Sequence, residues 1–189
     1  AMPAQTGSSA APAQMVESAS TPPTPVAASP DELLQQATTH AVWFSAGTPK
    51  PGAPVIYFLA DPTCPHCAWA TEKLAPQVRS GDLDLRVILA PIRNREAVYQ
   101  AASIIQSQTP ASDFLSHELS QIGSTPSELE ILEAHEINPD VVRGLQRNVA
   151  WARANGVKGV PFWIYRTADG VKLDFGAPKD AMLGAALPV

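Results

Sequence analysis

Pro54-Val55-Ile56-Tyr57-Phe58-Leu59-Ala60 is a short, almost wholly apolar run, stopped by Asp61-Pro62-Thr63 and followed at once by Cys64-Pro65-His66-Cys67. A run of this length without polar alternation is what a strand covered on both faces requires, so a sheet with layers on both sides is expected. From Cys67 to about Arg79, Ala70, Leu74 and Val78 recur at helical spacing, with Ser80-Gly81 as the stop. The pair of cysteines therefore sits where a buried strand turns into a helix. Pro76, inside that helix, is expected to kink it.

That position has chemical consequences. The first sulfur lies where unpaired backbone N–H groups and the helix dipole favour negative charge, so the Cys64 thiol is expected to be acidic and nucleophilic. Cys67 lies one turn deeper, positioned to resolve a mixed disulfide formed at Cys64. Pro65 fixes the turn between them, and a protonated His66 further favours the thiolate. Dithiol sites of this kind span roughly −270 to −120 mV, where 30 mV is about 1.4 kcal/mol, and a Pro-His pair points to the oxidising end. The alternatives are a structural zinc site, a structural disulfide and two incidental thiols. Zinc needs two further ligands, and His40, His117 and His135 show no suitable spacing, so no metal is assigned. A bridge across two residues closes too small a loop to constrain the unfolded chain much.

The rest of the chain fits a domain around this unit. Leu83–Leu89, Phe162–Tyr165 and Val171–Asp174 read as further strands. Between the second and third strands lies a helical stretch, about 91–156. It contains Glu96–Ser107, Asp113–Gln121, a helix opened by the capping box Thr125-Pro126-Ser127-Glu128, and another opened at Asn138-Pro139-Asp140. A last helix spans about Pro178 to Ala186. Upstream, Ser29-Pro30-Asp31-Glu32 starts a helix to about Thr39, and Gly47–Gly52 makes a turn. Residues 1–30, rich in Ala, Pro, Ser and Thr, read as a disordered arm, 31–52 as a linker helix and turn, and 53–189 as the main domain. Ala1-Met2 reads as a cloning remnant before a mature or truncated chain without its signal peptide. A net charge of −5 without any Lys/Arg-rich run argues against nucleic acid as a partner, and no stretch is long enough for a membrane span.

Val157-Lys158-Gly159-Val160-Pro161-Phe162 is the second informative site. Pro161 is permitted at a strand's first position, and the sharper reading is a cis-proline loop whose Val160 backbone pairs with a substrate strand.

With these residues in view, the chain resembles the bacterial periplasmic disulfide oxidoreductases, the group containing DsbA, DsbC and DsbG, and most of all the DsbG/DsbC catalytic domain. The likeness runs over about residues 40 to 187, carried by Ala53–Cys67, by Trp43 ahead of the turn, and by Val160-Pro161. It implies an α/β thioredoxin-like fold with a helical insertion between the second core strand and the cis-Pro loop. It implies Cys64 as attacking thiol, Cys67 as resolving thiol, Pro161 as the cis-proline, and no cofactor beyond the Cys64–Cys67 disulfide. Protein thiols and disulfides would be the substrates, a membrane-bound protein the redox partner, and the periplasm the location. His66 and Val160 match the residue types of the oxidase DsbA, where DsbG has Tyr and Thr. Only about 50 residues precede the first core strand, too few for the dimerisation domain of DsbC and DsbG, so a monomer is expected. Isomerase or reductase action of the DsbC/DsbG type, and a non-catalytic chaperone or binding module, are the alternatives.

Overall fold

The computed structural model describes residues 23–123 and 125–189. Five strands form one sheet in the order β1-β3-β2-β4-β5: β1 (Phe44–Ser45), β2 (Val55–Ala60), β3 (Asp84–Leu89), β4 (Phe162–Thr167) and β5 (Gly170–Phe175). β2 is central, parallel to β3 and antiparallel to β4, and all six of its residues are buried.

Strand alternation divides the apolar residues between two faces. Ile56, Phe58 and Ala60 join Leu85, Val87, Leu89 and Trp163 in one core, under α2 (Pro65–Ser80), α3 (Arg95–Gln106), α4 (Pro110–Ser120) and α6 (Asp180–Ala185). Phe58 stacks on its register partner Trp163 with ring centroids 4.3 Å apart. Val55, Tyr57, Leu59 and Ile164 face the other way, toward α1 (Pro30–Thr39) and α5 (Pro139–Ala154).

α1 starts where expected, with Ser29 Oγ accepting from the Glu32 amide at 3.2 Å. It is not a free linker, however: Leu33, Leu34 and Ala37 are buried against the sheet, so α1 is one of the layers. The expected arm, 1–30, lies outside the described residues as far as 22. From Pro25 onward the chain is seated, because the Asn155 amide donates to the Pro25 carbonyl at 2.9 Å and accepts from the Ala27 amide at 2.7 Å. One side chain at the end of α5 thus satisfies two backbone groups of an Ala/Pro segment that lacks apolar bulk of its own.

α2 continues past Pro76, which faces solvent, where the carbonyl its ring leaves unbonded can be hydrated. One helix expectation changes. The capping box at Thr125–Glu128 opens no helix. Ser116 Oγ takes the Glu128 amide at 2.7 Å, Ser103 Oγ takes the Leu132 amide at 2.9 Å, and Leu129 is buried in the core. Hydrogen bonds to α3 and α4 thus replace the intrahelical ones, and the segment is an extended strap ending in a single 3-10 turn, Ala134–Glu136. β1, two residues long, carries too short a pattern to be read from sequence.

Candidate active site

The turn that carries the cysteines is built on Asp61, which is fully buried at the end of β2. Its Oδ1 accepts from the Thr63 amide (2.8 Å) and hydroxyl (2.6 Å), the side-chain turn that an Asp two residues before a Thr favours. Its Oδ2 accepts from the Ile92 and Arg93 amides, both at 2.9 Å. One carboxylate therefore ties the β2–α2 turn to the loop after β3. The Arg93 guanidinium adds a hydrogen bond to the Thr63 carbonyl. From the other side α4 grips the same turn: His117 Nε2 and the Gln121 amide both donate to the Pro62 carbonyl at 2.8 Å. Burial keeps His117 below its usual pKa, so at neutral pH it is an uncharged donor.

Cys64 is the N-cap of α2, with Pro65 in the first turn. Both cysteines are reduced and buried, Cys64 at 5% exposure and Cys67 at 0%. The thiols differ sharply. The Cys64 pKa is lowered from 9.0 to about 6, above all by the Cys67 thiol as a hydrogen-bond donor; the Cys67 and His66 amides and the Arg93 charge add to this, and burial opposes it. Burial drives the Cys67 thiol far above its ordinary range, and its hydrogen bond to Cys64 adds to that. The proton of the pair thus belongs to the inner sulfur, and the outer one carries the charge.

Pro65 and His66 are exposed. The His66 ring stands edge-on to Trp69, centroids 5.1 Å apart, so in this geometry His66 acts on Cys64 through its backbone amide. The Val160–Pro161 peptide is cis. Antiparallel pairing of Leu59 with Phe162 brings this loop to the end of β2 from which the Cys64 turn departs. The Pro161 carbonyl accepts from the Gly176 amide at 2.9 Å, whereas the Val160 backbone has no partner among the described residues. Beside the loop lies a groove of about 450 Å³ lined by Leu59, Ile92, Val157 and Val160, with Arg153 and Lys158 at its wall. No group of three or more His, Cys, Asp or Glu side chains that could hold a metal occurs among the described residues.

No protein-family model matches the chain. Over 88 residues it is 39% identical to thiol:disulfide interchange protein DsbG of Escherichia coli (strain K12), covering 46% of this chain and 35% of DsbG. The chain thus spans about a third of that relative's length. Among solved structures it superposes on a disulfide interchange protein from Neisseria gonorrhoeae with a TM-score of 0.55 at 16% identity, covering 77% of this chain and 91% of the other. It superposes on a periplasmic thioredoxin-like protein from Salmonella enterica serovar Typhimurium with a TM-score of 0.53 at 18% identity, covering 80% and 92%. For the catalytic domain of Proteus mirabilis ScsC the values are 0.51, 16%, 80% and 93%. The fold is thioredoxin-like.

Between β3 and β4 of this thioredoxin-like frame lie α3, α4, the strap and α5, and α4 is the part that reaches the cysteine turn. Sequence reasoning missed Asp61, Arg93, Gln121 and Glu118, and considered His117 only as a metal ligand. Asp61 had a local signal in its Asp-x-Thr turn. Glu118 had one too: it lies one turn after the buried Phe114, so it shares the apolar face of α4.

Proposed function

We propose that the chain is a thiol–disulfide oxidoreductase acting on protein substrates through a mixed disulfide at Cys64 that Cys67 resolves. The observation that carries this reading is the asymmetry of the sulfurs: Cys64 is held near pKa 6, and Cys67 keeps its proton. At neutral pH such a Cys64 is mostly thiolate, the species that attacks a disulfide and leaves easily from one. The free Val160 backbone beside cis Pro161 supports a substrate strand pairing there, with Pro65 and His66 shaping the approach. The electrons reside in the Cys64–Cys67 pair, so the reaction needs no further cofactor. The identity with DsbG and the periplasmic Salmonella neighbour support a periplasmic location and a protein redox partner.

An acidic Cys64 stabilises the dithiol form, which favours oxidation of substrate thiols over reduction or isomerisation. Cys64→Ser is expected to abolish exchange with glutathione and with a reduced test protein. Cys67→Ser is expected to accumulate Cys64–substrate mixed disulfides, detectable by mass spectrometry. Full exchange activity in Cys64→Ser would refute the mechanism and leave a binding module.

A further inference from the structure

The groove beside the cis-Pro loop continues well beyond it. From Val160 and Leu59 it runs along α5, where Ile92, Val149 and Arg153 are shared with a second hollow of about 330 Å³ that reaches Val142 and Val98. Val142, Gln146, Val149 and Arg153 follow one another at intervals of four, three and four residues, so one stripe of α5 runs along this path. Val142 and Val149 on that stripe are only half-buried, whereas Asn148 and Trp151 on the inner face of the helix are buried.

Charge along this path is of one sign. Arg153 and Lys158 are exposed at the wall of the first hollow, and neither side chain has a hydrogen-bond or ion-pair partner among the described residues. No Asp or Glu lines either hollow, although the chain carries 18 acidic residues against 13 basic ones. The dipole of α5 accounts for one basic residue in its last turn, and Arg153 stands there. It does not account for Lys158, which lies beyond the helix, or for the lack of any carboxylate. An apolar floor with unpaired cations on its wall suits a polypeptide that carries aliphatic side chains and carboxylates together.

We propose that this groove is a specificity subsite for an acidic segment of the substrate chain, entered from the residue that pairs with Val160. The proposal rests on the oxidoreductase reading and names the substrate class. A substrate strand paired with the free Val160 backbone is already at the mouth of the groove, because Val160 lines it. Its flanking residues continue along α5. An aliphatic side chain there covers Leu59, Ile92 and Val157, and an Asp or Glu beside it meets Arg153 and Lys158. Exposed ion pairs add little affinity singly, so the selection acts on the rate of productive encounter and weakens with salt.

The test uses the oxidised full chain and two short reduced peptides. Each has one central cysteine flanked by leucines, with glutamates in one peptide and lysines in the other at the same outer positions. Loss of the Cys64–Cys67 disulfide is followed by acid quench and mass spectrometry, and the glutamate-to-lysine rate ratio is taken for each protein. Peptide charge also alters the peptide's own thiol, so the quantity compared is the ratio in the wild type over that in Arg153→Gln/Lys158→Gln. It is expected to be about tenfold at low salt and to fall toward one at about 1 M salt, where the screening length is about 3 Å. Lys50→Gln/Arg79→Gln removes the same charge at the opposite end of the sheet and should keep the wild-type ratio. A value below about twofold, or an equal effect of the distant pair, would overturn the proposal. If the groove variant does not fold, the salt series on the wild type decides: a ratio that salt leaves unchanged overturns the assignment. Failure of the wild type to exchange with either peptide and with glutathione would instead refute the oxidoreductase reading itself.

Discussion

The acidity of Cys64 makes the stability of the protein depend on pH in one redox form only. The perturbation is oxidation of the dithiol, which removes both ionisations. In the reduced protein the Cys64 pKa falls from 9.0 unfolded to about 6 folded, a depressed value. A depressed group contributes stability above its unfolded pKa and loses it as pH falls through the folded one. Each pH unit between 6 and 9 is therefore worth at most about 1.4 kcal/mol, or about 4 kcal/mol over the window. Water at the turn screens part of this, which places the gain at about 2 to 4 kcal/mol. Cys67 has the opposite sign. Its pKa is raised from 9.0, so its contribution is present below pH 9 and is lost as pH rises beyond it. The stability of the reduced form relative to the oxidised form should thus climb from pH 6, peak near pH 9, and fall. His40 and His117, both lowered chiefly by burial, titrate in each redox form and largely cancel in the difference. The assay is urea unfolding of both forms at matched pH, where the peak corresponds to a midpoint difference of about 1 to 2 M. Cys64→Ser in the reducing buffer should lose the climb. A flat difference between pH 6 and 9 would refute the reasoning that the folded turn selects the Cys64 thiolate.

Three further outcomes follow from packing and hydrogen bonding. Asp61→Asn replaces one acceptor oxygen by an N–H₂ group and so opposes backbone amides that Asp61 now satisfies; a loss of about 2 to 4 kcal/mol, read as a fall of about 5 to 10 °C in thermal unfolding, is expected. Phe114→Ala removes a fully buried ring that meets Phe44 and Phe58 edge-on, which should cost about 3 to 5 kcal/mol in denaturant unfolding. Asn148→Ala strips the partners of the Val42 amide and carbonyl and of the Leu89 carbonyl, so a loss of about 2 kcal/mol and faster exchange of the Val42 amide hydrogen are expected.

Features written in local patterns were legible from the sequence. β2, α2 and the cysteine turn announce themselves because an apolar run, a breaker and a helical repeat follow one another within some 25 residues. Val160-Pro161 was legible as a loop, and its placement beside the cysteines came through resemblance, because pairing of Leu59 with Phe162 leaves no mark on either stretch. The strap after α4 was misread because Thr125–Glu128 carries a helix-start pattern, while the hydroxyls that claim its amides, Ser103 and Ser116, lie on other helices. The short helix at Pro30–Thr39 was found, but its role as a covering layer depends on Leu33 and Leu34 meeting residues far along the chain. Glu118 shows the limit most plainly: a carboxylate on an amphipathic helix reads as a solvated side chain until α4 is docked against the dithiol turn.

The central strand also sets an order in time. β2 gains its parallel neighbour, β3, within about 30 residues, but its antiparallel neighbour, β4, is about a hundred residues further on. A chain emerging from its N-terminus therefore exposes one edge of its most apolar strand until nearly all of it has appeared. During that interval Cys64 and Cys67 are present, but the cis-Pro loop is not, and α4 has only the partial core of β1 to β3 to dock against. The two halves of the site meet only when about the last seventh of the chain appears and β4 closes the sheet.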